Sequence, residues 1–368
     1  MAKCLSVQIK AQLIACSTMP DQSENGGDMR TRYEMFCRAL VLSVLSLLML
    51  GTRQLSVAQT APHPSYVENG TLYSATATND FSQKAAENVS RILDQKPQKN
   101  SVLYLTNSDE GSTDAGTGHD LFLLNSDNQV AHLIAQNVVS AVLSPDAAKV
   151  AFWNEEHKVH IVTSDNMPLL EIEGHAAAPI FSHDGNLVAY QKLADYSPDG
   201  DPHSLFESAK GIAIHDLRTG EDRLVTTGGM DDFEPIGFSL DKTKLYFNSS
   251  RPSEKSPQAH VASLWVVDLR NGKTTRLTNI QQADGHSSEE LTPIVSQSAI
   301  WSSDHKTVIS SNNSKEGVWI FNFSEDGGLT SAAQMGDGDS PQWVVPDKSV
   351  VFHTLTDGKS AWRQINLR

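Results

Sequence analysis

The chain has only three cysteines, Cys4, Cys16 and Cys37, and all precede residue 58. The stretch after that point therefore has no disulfide framework, no thiolate metal site and no thiol nucleophile. Positive charge is also scarce: 29 Lys and Arg face 44 Asp and Glu, a formal net charge of −15 over 368 residues. That balance argues against nucleic acid as the main partner, because phosphate binding needs clustered cations. There is no G-x-S-x-G elbow, no G-x-x-x-x-G-K-[ST] loop and no G-x-G-x-x-G fingerprint, which disfavours serine-hydrolase, P-loop and dinucleotide chemistry.

Long hydrophobic runs are few. Ala39–Leu50, ALVLSVLSLLML, is the prominent one, at 12 residues. A membrane span needs about 20. The run follows Arg30, Arg32 and Arg38 and precedes the small-x-small triplet Ser56-Val57-Ala58. This order predicts a secretory signal peptide cut after Ala58, with no stable membrane span once it is removed. Met29 is a natural start for it, which leaves Met1–Asp28 as an upstream extension. Residues 1–58 are thus read as extension and signal, 59–95 as a linker with a ring-closing strand, and 96–368 as the folded domain. Localisation is periplasmic or secreted. Within the linker, Thr71–Thr76 reads as a strand that adds to the last blade as its missing outer strand. Phe81–Leu93 has apolar residues near helical spacing, with a strand at Val89–Leu93 as the competing reading.

The abundant feature is a repeat. Phe238–Thr278 contains four short runs rich in β-branched and aromatic residues, separated by Asp, Asn, Gly and Ser, which is the pattern of antiparallel strands joined by hairpins. Its first turn recurs. Ser144-Pro145-Asp146, Ser182-His183-Asp184, Ser239-Leu240-Asp241 and Ser302-Ser303-Asp304 each precede an aliphatic strand. Pro346-Asp347 and a degenerate Lys96-Pro97-Gln98 complete six copies. Spacings of 38 to 63 residues are those of propeller blades. The expected fold is all-β: a six-bladed β-propeller of four-stranded antiparallel blades with strands a to d, behind the N-terminal signal peptide. Each repeated Asp is expected to hold its a–b turn by bonding nearby backbone N–H groups.

The pattern W/F-S-x-D-G/K, an aliphatic strand, L/I-W-V-x-D-L-x-x-G and R-L-T resembles the PD40 repeat of TolB-like β-propellers, over about Pro97–Arg368. The large N-terminal α/β domain of that family has no counterpart here, so the partner contacts it makes do not carry over. The repeat implies a fold and leaves function open, because such propellers host many activities.

In a propeller, a–b and c–d turns lie on one face, and b–c and d–a connections on the other. The long connections all belong to the second face, and long loops on one rigid face usually carry binding. Six of them hold sixteen acidic residues against four basic ones. Binding-face candidates are Asp109, Asp114, Asp195, Asp199, Asp231, Asp232, Glu234, Asp284, Glu289, Glu290, Asp337 and Asp339. They suggest an electronegative mouth for a protein or peptide partner; the competing reading is a merely solvated surface. His119, His175, His203, His260 and His286 lie on the same side and are the candidates if a divalent metal ion is bound. The expected function is a protein- or peptide-binding scaffold with no cofactor and no catalytic residues. The alternative is a metal-dependent propeller enzyme, a carbohydrate lyase or hydrolase or a lactonase, at the channel mouth. Oligomeric state is not legible. The six tryptophans fall on strand positions and are expected in the core, Trp301 and Trp343 nearest the channel.

Overall fold

Middle strands are apolar at successive positions rather than at alternate ones, which is what a strand covered on both faces requires. The computed structural model describes residues 65–74, 83–96, 99–106, 119–126, 128–194, 209–250, 263–277, 299–311, 317–345, 347–356 and 359–367. The predicted signal peptide lies outside them. Three strands, β1 (Tyr66–Glu68), β2 (Thr71–Ser74) and β3 (Gln83–Ala86), form an N-terminal sheet. A seven-stranded sheet follows: β4 (Val89–Lys96), β5 (Ser101–Thr106), β6 (His119–Asn125), β7 (Val130–Leu143), β8 (Lys149–Asn154), β9 (Val159–Thr163) and β10 (Pro168–Glu171). Three four-stranded meanders come next. They are β11 (Ala176–Phe181), β12 (Leu187–Lys192), β13 (Gly211–Asp216) and β14 (Asp222–Leu224); β15 (Asp232–Phe238), β16 (Lys244–Ser249), β17 (Ser263–Asp268) and β18 (Thr274–Arg276); and β19 (Ile300–Trp301), β20 (Thr307–Ser311), β21 (Val318–Phe323) and β22 (Leu329–Gly336). The last sheet is β23 (Asp339–Val345), β24 (Ser349–Thr356) and β25 (Lys359–Asn366). Among the described residues no helix is long and apolar enough to cross a membrane.

The seven-stranded sheet is two blades joined through β7. Its first half pairs with β6 and its second with β8, and Val138 is partnered in both ladders. Asn137, at φ 58°, turns the chain between the halves. Each of the six repeats therefore falls on its own antiparallel meander, with the repeated turn between the first two strands. Burial follows strand position. Val188, Ala189 and Tyr190 of β12 are fully buried, as are Leu245 and Phe247 of β16. The fourth strands are open, and all three residues of β14 are exposed.

Neighbouring blades share apolar clusters. Leu103, Leu121 and Leu123 pack with Val150 and Phe152. Ile180, Ala189 and Ile214 pack with Phe238, Phe247 and Trp265. Tyr246 and Leu264 pack with Val308, Trp319 and Phe321. The tryptophans serve these seams. Trp301 donates its indole N–H to the Ile236 carbonyl at 3.4 Å, and Trp343 donates to the Trp301 carbonyl at 2.9 Å. Gly237 makes the first approach possible, since a Cβ there would lie 2.5 Å from the Trp301 ring.

Three expectations need correction. Residues 83–86 and 89–96 are strands, so the helical spacing of Phe81–Leu93 is coincidental; Asn88, at φ 58°, breaks the chain between them. The last blade has three strands among the described residues. Thr71–Ser74 does not add to it but pairs with β1 and β3 in a sheet of its own. This sheet nonetheless touches both ends of the repeat array. Tyr66 meets Trp362 of β25 edge-on, centroids 6.0 Å apart, and Leu72 packs with Val89, Val102, Tyr104 and Leu124 of the first blade.

Leu72→Ala should therefore cost about 2–5 kcal/mol, the range for a fully buried leucine. Urea unfolding of the full chain measures it. A loss below about 0.5 kcal/mol would show that the N-terminal sheet contributes nothing to the seam.

Candidate functional site

The two ends of the blades are built differently. At one end the first two strands of four blades are joined by short turns of one design. Ser144 Oγ donates to Asp146 Oδ1 at 2.6 Å, the same carboxylate accepts the Ala148 N–H at 3.1 Å, and Lys149 N–H donates back to Ser144 Oγ at 2.9 Å. Ser182 with Asp184, Ser239 with Asp241, and Ser302 with Asp304 repeat this at 2.6 to 2.7 Å. The residue after each Asp takes positive φ: Ala147 58°, Gly185 66°, Lys242 56°, His305 54°. The repeated Asp thus has the predicted structural role. Asp347 departs from it. It occupies the positive-φ position itself, at 62°, one place later than the other Asp residues. Its carboxylate turns to the neighbouring blade, accepting the Ser303 N–H at 2.8 Å and the Ser303 hydroxyl.

These turns also touch one another. Lys242 donates to Asp184 Oδ2 at 2.6 Å across adjacent blades. His305 lies edge-on to His183, centroids 5.4 Å apart, stacks on Trp301, and bonds the Phe238 carbonyl through Nδ1 at 2.8 Å. Burial holds the His305 pKa below its ordinary value against the opposing carbonyl bond. The Ser239 hydroxyl and the Thr243 N–H bring Asp241 down to about 2. At Asp184 burial pushes upward, but the Lys242 ammonium and Ser182 outweigh it and the carboxyl is lowered.

At the other end the connections are long. Thr106 to His119, Lys192 to Gly211 and Ser249 to Ser263 bridge second and third strands. Seven binding-face candidates, Asp109, Asp114, Asp195, Asp199, Asp284, Glu289 and Glu290, lie outside the described residues, as do His203, His260 and His286. The described ones have local work. Asp232 is fully buried and accepts the Gly228 N–H at 3.1 Å. Glu234 accepts from the Asn248 amide at 2.7 Å, and Asp231 from Ser250 Oγ at 3.2 Å. Asp339 faces His353 at 3.5 Å with its own side chain 61% exposed, and exposed Asp337 accepts from Gln334 at 3.3 Å. His119 bonds the Thr106 carbonyl through Nδ1 at 2.8 Å, and His175 the Glu156 carbonyl at 3.2 Å. Such bonds are found behind metal-bound imidazoles. Yet among the described residues no three His, Cys, Asp or Glu side chains group as a metal site would need.

Sequence reasoning missed the His183–His305 contact and the role of Asp347. Both histidines were visible as departures at the second and fourth positions of the turn motif, but their meeting skips a blade and no spacing reports it.

A charge-removing change at the turns should show in acid. The folded-state pKa of Asp184 is depressed, so its stabilisation is complete above the ordinary carboxylate value near 4 and lost as pH falls through the folded value. Asp184→Ala should lower stability by about 0.5–1.5 kcal/mol at pH 7, and the difference from wild type should shrink progressively below pH ~4. Urea unfolding at both pH values checks this; a difference constant with pH would refute the ionic role.

No family model and no curated protein matches the sequence. Among solved structures the chain is similar to the tricorn protease, 11% identical over 83% of this chain and 33% of that one, with TM-score 0.50. It spans about a third of that protease. It is also similar to TolB from Acinetobacter baumannii, 15% identical over 80% of this chain and 72% of that one at TM-score 0.46. A third is an oligogalacturonate lyase in complex with manganese, 13% identical over 73% and 86% at 0.41. At such identities the likeness is one of fold. The antiparallel meanders and their recurrent Ser-x-Asp turns give this chain a β-propeller-like fold.

Proposed function

We propose that the chain is a secreted or periplasmic propeller that acts as a non-catalytic scaffold, binding a protein or peptide segment at its acidic long-connection end. In this reading the six repeat blades form one ring with the N-terminal sheet at its seam, and residues 1–58 are removed on export. One observation carries the proposal: the division between the two ends of the blades. At the short-turn end the carboxylates are consumed by Ser hydroxyls, backbone N–H groups and lysines. In the sequence, the long connections hold sixteen acidic residues against four basic ones. Such a field attracts cationic segments and raises their rate of encounter. The metal-enzyme alternative needs three ligands at one point, and no described group supplies them.

A labelled basic peptide of about 20 residues should bind the full chain, an acidic peptide of the same length should not, and binding should weaken about tenfold as salt rises from low to several hundred millimolar. The double variant Asp337→Lys, Asp339→Lys should bind the basic peptide several-fold more weakly. Fluorescence anisotropy measures both effects. Equal binding of the two peptides would sink the proposal. Stoichiometric metal with a large loss of melting temperature on chelation would favour the enzyme instead.

A further inference from the structure

Five Asn-x-Ser/Thr triplets occur in the chain: Asn69-Gly70-Thr71, Asn88-Val89-Ser90, Asn248-Ser249-Ser250, Asn312-Asn313-Ser314 and Asn322-Phe323-Ser324. This triplet is the acceptor for N-linked sugar, which must remain in water once the chain has folded. The structure separates the four that fall among the described residues. Asn248 is fully buried, and its amide donates to Glu234 at 2.7 Å. Asn322 uses both amide atoms, accepting from Thr307 Oγ1 and donating to Ser331 Oγ at 2.9 Å each. Asn69 and Asn88 are the opposite case. Asn69, at φ 49°, and Gly70, at φ 73°, form the two-residue turn between β1 and β2. Asn88 sits in the two-residue link between β3 and β4. Both are exposed, and among the described residues neither side-chain amide has a hydrogen-bond partner. The two tips adjoin, since Val89 N–H donates to the Gly70 carbonyl at 2.9 Å.

We propose that Asn69 and Asn88 are N-glycosylation sites, modified when the chain passes through a secretory compartment that contains an oligosaccharyl transferase. The proposal rests on the secretory reading above. The donor is an oligosaccharide carried on a polyprenyl diphosphate. The Asn amide nitrogen attacks the anomeric carbon. A carbon–nitrogen bond forms, the carbon–oxygen bond to the diphosphate breaks, one amide proton passes to a base of the transferase, and the polyprenyl diphosphate leaves. No redox partner is required. A sugar at Asn88 stands just after β3, an edge strand of the N-terminal sheet. Among the described residues that edge has no further partner strand, so the sugar would shield it from pairing with another chain. A sugar at Asn248 would instead have to expel a fully buried side chain and leave Glu234 without its amide partner.

The test is to express the full chain in a secreting eukaryotic cell, collect it from the medium, and compare intact mass and peptide maps before and after peptide-N-glycosidase. The expected result is two glycans per chain, on Asn69 and Asn88. Thr71→Ala and Ser90→Ala should each remove one while keeping the asparagine and its turn, and the double variant should carry neither. Secreted chain that begins at Gln59 but carries no sugar at these positions would overturn the proposal and leave the secretory reading standing. Chain retained in the cytosol with residues 1–58 attached would overturn both.

Discussion

Val188, Ala189 and Tyr190 are consecutive in β12 and all fully buried. A strand like this has no solvent face, so a lone blade would expose apolar surface on both sides. Each blade is stable only between two others, as in other repeat proteins whose units cannot bury their cores alone. Every other feature of the fold answers to that constraint. The meanders must repeat in shape closely enough to stack, and the two end blades of the array must also be covered.

The repeated turn meets the first demand. Ser144, Ser182, Ser239 and Ser302 each link one Asp, one backbone N–H and the start of the next strand. The turn fixes where the second strand begins, and so which faces its apolar run presents. Asp347 shows what happens where the repeat slips by one residue. The carboxylate no longer closes its own turn and joins its blade to the neighbour through Ser303. The second demand is met by the N-terminal sheet, which packs on the first blade through Leu72 and reaches the last through Tyr66.

The repeats, their strand order and the work of Asp146, Asp184, Asp241 and Asp304 were legible because they are local: a turn and the strand after it are neighbours in sequence. Val89–Lys96 was ambiguous because its ladder to β5 shifts register after Val89 and again after Ile92. Those bulges break the period of two that marks a strand. The partners of Thr71–Ser74 were misread although they are close in sequence: β2 is the central strand between β1 and β3, and runs of three and four residues are too short to show a strand period. The candidate site was the least legible part, since convergence of side chains on long connections is set by tertiary structure that spacing does not encode.

The same locality bears on how much acidic charge is free to act. Counting residues on the long connections treats every Asp and Glu as equivalent. The structure divides them. Asp232 is buried and holds the Gly228 loop, Glu234 is tied to Asn248, and Asp231 is bonded to Ser250. Each of these shapes the path of the chain into and out of the β15–β16 pair. Asp337 and Asp339 differ, because their side chains are exposed where β22 passes into β23. A partner attracted to this end therefore meets described negative charge mainly at the junction of the last two blades. The Asp339–His353 pair there also ties the first strand of the final blade to its second.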